Sequence, residues 1–106
     1  MEVLNVKDLP EKSRIRGTSM KAVHSGSMTS CYWKFEPGID LPEHSHPHEQ
    51  VTSVISGEFD LTLADETKRL TAGSVVVIPP NVTHRGHSVT AVVVIDIFHP
   101  CREDFR

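Results

Sequence analysis

LPEHSHPHEQVTSVISG, residues 41–57, carries three of the chain's seven histidines, His44, His46 and His48, and runs directly into an apolar strand pattern. Imidazole adds little to bulk packing and titrates near neutral pH. Such a loop is either solvated or gathered to hold something. QVTSVIS (50–56) is rich in β-branched residues and stops at Gly57, which marks a strand followed by a turn.

The same pattern recurs on both sides. MTSCYWKFE (28–36) alternates and ends at the Pro37-Gly38 turn. EFDLTLA (58–64) sets Phe59, Leu61 and Leu63 against Glu58, Asp60 and Thr62 on opposite faces. Asp65-Glu66 then turns the chain into a hairpin partner at 67–70. SVVVI (74–78) is stopped by Pro79-Pro80, and VTAVVVIDIF (89–98) reads as the longest strand. The first 20 residues read weakly, as a short edge strand. Helix signals are scarce. Short strands punctuated by Gly, Pro, Asn and Asp predict an all-β sandwich or barrel. With no linker or low-complexity segment, residues 1–106 form one domain, with a barrel core at about 20–100 and an N-terminal arm at 1–19. SVVVI and AVVVIDI are apolar on both faces, so the face outside the barrel needs a cover. A second copy of the chain is the simplest one, hence a homodimer; the N-terminal segment is the other.

Composition excludes several classes of partner. The chain is 38% hydrophobic and 24% charged with a net charge of -3, and no basic stripe suits a nucleic acid. The longest apolar run, Ala91 to Ile95, is too short for a bilayer. MEVLNVKDLPEK has no apolar core, which leads us to expect neither signal peptide nor anchor, a cytoplasmic location, and reduced Cys31 and Cys101.

His44 and His46 are two apart, so an extended backbone points both to one face, and Gln50 keeps the even spacing. His84 follows Pro79-Pro80-Asn81 beyond two further strands, which in an antiparallel barrel can return it to the first pair. Three imidazoles and an oxygen donor make a first-row metal site. His44 and His46 alone fit a solvated pair equally well; the wider spacing decides. Glu49, at odd offset, should point away from the lumen, and His48 reads as a mouth residue. His24, His87 and His99 read as surface residues. Asp96 interrupts an apolar strand. It is either ion-paired to an arginine that closes the barrel or faces a wet pocket as proton donor or acceptor. Arg102 belongs either to a mobile tail or to one docked by Phe105, from where it could grip a carboxylate.

The full spacing is Gly38-x5-His44-x-His46-x3-Gln50-x6-Gly57, then Gly73-x5-Pro79-x-Asn81-x2-His84 after 15 residues. It resembles the paired motifs of the cupin superfamily, which implies a double-stranded β-helix, a jelly-roll-like barrel, with a metal in the lumen. Gln50 stands where glutamate is usual, Asn81 where glycine is, and Ser88 where asparagine is. The last two are turn positions. With a neutral amide in place of a carboxylate, the site keeps a net charge of about +2 rather than about +1, which favours anions and weakens metal retention.

HSHPHEQVTSVISGEF, IPPNVTH and DIFHPCREDF are similar to the KdgF-type cupins of pectin and alginate degradation. That resemblance implies an enzyme that linearises 4,5-unsaturated monouronates to 5-keto-4-deoxyuronates. It further implies metal ligands His44, His46, Gln50 and His84, and functional roles for Asp96, Phe98 and Arg102. Asp96 and Arg102 would be catalytic, with Phe98 and Arg102 binding a small anionic sugar. The donor set suits Ni, Zn, Mn, Fe or Co. Rival readings are another metal-dependent cupin enzyme such as a dioxygenase, a non-catalytic sugar-binding module, or a structural barrel with an empty lumen.

Overall fold

Alternating side chains need two sheets to bury one face of each strand. A computed structural model describing residues 1–106 meets that need with nine strands. These are β1 (Thr18–His24), β2 (Thr29–Phe35), β3 (Asp40–His44), β4 (Glu49–Ser56), β5 (Phe59–Leu63), β6 (Glu66–Leu70), β7 (Val75–Ile78), β8 (His84–Ser88) and β9 (Val92–His99). Antiparallel pairing yields one sheet in the order β1-β2-β9-β4-β7 and another in the order β3-β8-β5-β6. Placing β9 between β2 and β4, and β8 between β3 and β5, is the wrapping of a jelly-roll barrel. The expected all-β fold is the one observed.

The core follows the period of two. Thr29, Cys31, Trp33 and Phe35 of β2 are buried, as are Val92, Val94 and Phe98 of β9. Met20, Val54, Phe59, Leu61 and Ile78 complete the cluster from other strands. Phe35 meets Phe59 edge-on across the sheets at 5.5 Å.

Three strands carry weak sequence signals. β1 begins at Thr18 and forms one edge. β3 (DLPEH) and β8 (HRGHS) lack β-branched runs and are held extended by pairing with each other and with β5. Gly86 is needed there because a Cβ would lie 2.2 Å from the Phe59 ring. The last long strand starts at Val92 rather than Val89. Val89 and Thr90 instead donate their N–H groups to the Glu58 carbonyl, and Gly57 (φ +88) comes so close that a Cβ would meet the Ala91 oxygen at 2.0 Å.

Beyond β9 the tail is docked, not free. Cys101, Arg102 and Phe105 are buried, and Phe105 packs edge-on against Phe98 and Trp33 at 5.7 and 6.2 Å. The Arg102 N–H reaches Thr29 Oγ1 (2.9 Å), and Lys12 Nζ from the N-terminal arm reaches the Phe105 carbonyl (2.8 Å). Arm and tail therefore meet over one end of the barrel. Cys31 and Cys101 are free thiols. No helix is long and apolar enough to cross a membrane.

Candidate metal centre and its cavity

His44 and His84 face each other as cross-strand partners of β3 and β8. A bulge between Leu41 and His44 breaks the register and re-aims the His44 ring. His46 lies in the loop between β3 and β4, held by a bond from the Asn81 N–H to its carbonyl (2.8 Å). Asn81 makes that bond from left-handed backbone (φ 66°), a conformation asparagine tolerates, so the missing glycine costs little. Ser88, fully buried, donates from Oγ to the Glu36 carbonyl (2.6 Å) and accepts from the Ile39 N–H (2.8 Å), pinning the preceding turn.

One ring nitrogen from each of His44, His46 and His84 lies within 4.8 Å of the others. Nδ1 of each faces a backbone carbonyl: Pro42 for His44 (2.7 Å), His48 for His46 (3.0 Å) and Val82 for His84 (2.9 Å). A carbonyl only accepts, so each Nδ1 carries the proton and each Nε2 keeps its lone pair. Burial lowers the pKa of both His46 and His84, the latter to about 4, so these two rings are neutral at pH 7.

Two contacts suit a cation between the rings. His84 Nε2 is buried with no hydrogen-bond partner. His46 Nε2 lies 3.0 Å from Gln50 Oε1, which sets two lone pairs against each other. The amide is fixed that way round because its Nε2 donates to Thr52 Oγ1 (2.9 Å), and the Thr52 hydroxyl in turn donates to Asp96 Oδ1 (2.7 Å). Three imidazole nitrogens and one amide oxygen therefore fit a divalent first-row ion.

His48 lies outside the triad. Its Nε2 meets the Cys101 carbonyl at 3.1 Å, so it tethers the tail. Glu49 is exposed and opposes His99. His87 pairs with Asp40 (2.7 Å), and His24 bonds Thr29 (2.8 Å).

A cavity of ≈ 260 Å³ opens from His44, Gln50 and His84, roughly the space of nine water molecules. Asp96 and Phe98 line it from β9, and Arg102, Asp104 and Phe105 from the tail. Asp96 is half-buried as a residue, while its carboxyl is enclosed among β2, β4 and β9. Burial pushes that carboxyl up to about 6, against the opposing pull of Thr52, Gln50 and Arg102. It has no ion-pair partner, so the barrel-closing arginine is not what holds it. Cys31, its neighbour on β2, has its thiol pushed up to about 12 by burial and offers no thiolate.

Several residues of the site escaped the sequence reading. Thr52 was legible in hindsight, two residues after Gln50 and opposite Asp96. Trp33 reads only as core. Arg14 and Asp104 follow no periodicity and reach the cavity through the arm and the tail.

Residues 31–98 match the cupin domain family. An RmlC-like cupin from Shewanella frigidimarina superposes with a TM-score of 0.94 at 28% identity, over 100% of this chain and 96% of that one. The structure of KdgF from Halomonas sp. gives 0.93 at 26% identity, over 100% and 99%. H2HPP isomerase of Bacillus subtilis is 38% identical over 64 residues, 58% of this chain. This chain spans only 27% of that relative's length.

Proposed function

Because the chain belongs to the cupin family, we propose that it is a metal-dependent enzyme that linearises 4,5-unsaturated monouronates to 5-keto-4-deoxyuronates. The observation that carries this reading is one cavity lined by His44, Gln50 and His84 of the candidate centre, by an enclosed carboxyl whose pKa is raised to about 6, and by arginine. End-to-end likeness to KdgF supports it. The cavity volume suits one sugar ring rather than a chain of sugars.

The substrate is a cyclic enol ether bearing a carboxylate. Proton delivery to C4 and addition of water at C5 give a hemiketal, whose collapse breaks the ring C5–O bond and leaves a ketone. A divalent ion at His44, His46, Gln50 and His84 supplies Lewis-acid stabilisation of developing charge. Asp96 gives the proton to C4. Thr52 occupies Oδ1, which leaves Oδ2 free to carry that proton. With a pKa raised to about 6, Asp96 is matched to proton transfer near neutral pH. Phe98 walls the ring, and Arg102, 4.7 Å above the Phe98 centroid, offers guanidinium N–H groups to the carboxylate.

We further propose a homodimer packed through the outer face of the five-stranded sheet. Val75 (63% exposed), Val77 (58%) and Ile97 (37%) lie bare on its β9-β4-β7 side, while the N-terminal arm, bonded to Lys21 through the Val6 and Lys7 carbonyls, lies over its β1-β2 side. The two free thiols suit a reducing, cytoplasmic setting.

The test is to incubate metal-replete protein with 4,5-unsaturated galacturonate under anaerobic conditions and follow loss of the conjugated chromophore. His84→Ala should abolish turnover. Asp96→Asn should lower it by roughly 10²-fold or more while metal is retained. Oxygen-dependent turnover of another substrate, with no effect on unsaturated uronates, would overturn the proposal.

A further inference from the structure

Two arginines stand at the mouth of the cavity, and only one has its charge matched. Arg102 gives Nε and Nη2 to the Asp104 carboxylate at 3.0 and 2.8 Å. Its guanidinium also lies against the rings of Phe98 and Phe105, 4.7 and 4.0 Å from their centroids. Hydrogen bonding to Arg102 holds the Asp104 carboxyl down at about 2, so at neutral pH the pair carries no net charge.

Arg14 is placed differently. It comes from the arm before β1, sits 4.6 Å over the Phe105 ring, and donates through Nη2 to the Asp104 backbone carbonyl. No carboxylate pairs with it. Yet it lines the same cavity as His44, Gln50, His84 and Asp96, and its positive charge is felt as far inside as Cys31.

A carboxylate is best met by two parallel N–H groups of one guanidinium. On Arg102 the Nε–Nη2 edge is taken by Asp104, and the Nη1–Nη2 edge that remains belongs to a pair whose charge is already matched. On Arg14 only one Nη2 hydrogen is used, on the Asp104 carbonyl, so one of its two paired N–H edges stays open and no carboxylate matches its charge. We propose that Arg14 is a second substrate-binding residue, whose unmatched guanidinium meets the carboxylate of a sugar acid beside Arg102, which Asp104 and Phe98 hold in place. The ligand class rests on the uronate reading above. The N-terminal arm thereby becomes part of the site, and carboxylate selectivity is set by a residue outside the barrel.

Trp33 is the only tryptophan and lines the cavity, so its emission reports occupancy. Metal-replete wild type, Arg14→Gln and Arg14→Lys are titrated with galacturonate, which lacks the C4=C5 bond, and with galactose, which lacks the carboxylate. Arg14→Gln should weaken galacturonate at least roughly tenfold, the scale of a lost charge-assisted contact, and leave galactose unchanged. Arg14→Lys should fall between, keeping the charge without the fork. Unaltered galacturonate binding in Arg14→Gln overturns the assignment. So does an equal loss for both sugars, which marks a merely structural arm.

The two proposals fail separately. Galacturonate held through Arg14, with unsaturated uronates left intact, keeps the anchor and removes the reaction. Turnover in Arg14→Gln with an unchanged KM keeps the reaction and removes the anchor.

Discussion

Thr52→Val tests the link between the metal donors and the carboxyl. Valine keeps the shape of threonine and deletes only the hydroxyl, which here accepts from Gln50 Nε2 at 2.9 Å and donates to Asp96 at 2.7 Å. Without it the Gln50 amide has nothing to hold Oε1 toward His46, and half of its rotamers present N–H groups to a cation. Losses of a partner that orients a metal ligand are typically 10- to 100-fold in affinity, or about 1.4–2.8 kcal/mol. Asp96 also loses its donor in an enclosed position, which costs roughly 1–3 kcal/mol of folding stability. For a chain of this length that is a Tm drop on the order of 5–15 °C. The assays are a chelator-competition titration with nickel or zinc, and thermal melting of the metal-free protein. Thr52→Ser keeps the hydroxyl and should recover most of the metal affinity. Thr52→Val that holds metal as tightly as wild type, or Thr52→Ser that is equally impaired, would refute the orienting role.

Gln50→Glu should tighten metal binding and weaken uronate binding, because the added carboxylate lowers the charge of the loaded centre from about +2 to about +1; calorimetry with metal and with galacturonate checks both directions. Asp104→Asn bears on acid stability. The Asp104 pKa falls from an ordinary 3.8 to about 2 on folding, so its contribution is complete above pH 4 and is lost as pH drops through 2. The variant should melt slightly lower at pH 7, with the difference vanishing near pH 2; the pair is half exposed, so the effect stays below about 1 kcal/mol. Val77→Asp should give a monomer by light scattering if a second copy covers the outer sheet face, where Val77 is 58% exposed.

The legible part of this chain is the part that repeats. Alternation in TSCYWKF and in VVVIDIF announced β2 and β9, and the even spacing of His44, His46 and Gln50 announced a shared face. Strands defined by partners were not legible. HRGHS carries no strand propensity of its own; it is extended because β3 and β5 flank it and because Gly86 leaves room for Phe59. Arg14 and Asp104 were illegible for the same reason, since their positions depend on a contact between residues 90 apart in sequence, Arg14 Nη2 with the Asp104 carbonyl.

That division separates two kinds of information in the site. The residues matching the cupin family, 31–98, contain every metal donor together with Asp96 and Phe98. They leave out Arg14, Arg102, Asp104 and Phe105, the groups that shape the cavity's mouth. A barrel that presents three imidazoles to an ion can serve many reactions. What narrows the choice is the charge and shape at the mouth, and here both are supplied by an arm and a tail that meet through Lys12, Arg14 and Phe105. The barrel alone therefore carries the candidate metal donors and leaves the substrate open. The two solved structures that superpose over the full length carry more weight because they include those ends. Exchanging residues 1–17 for the arm of a cupin with a different substrate should alter carboxylate selectivity and leave metal affinity intact. An exchange that moves both together would mean that the arm and the donors are one unit, and that the mouth cannot be read separately from the centre.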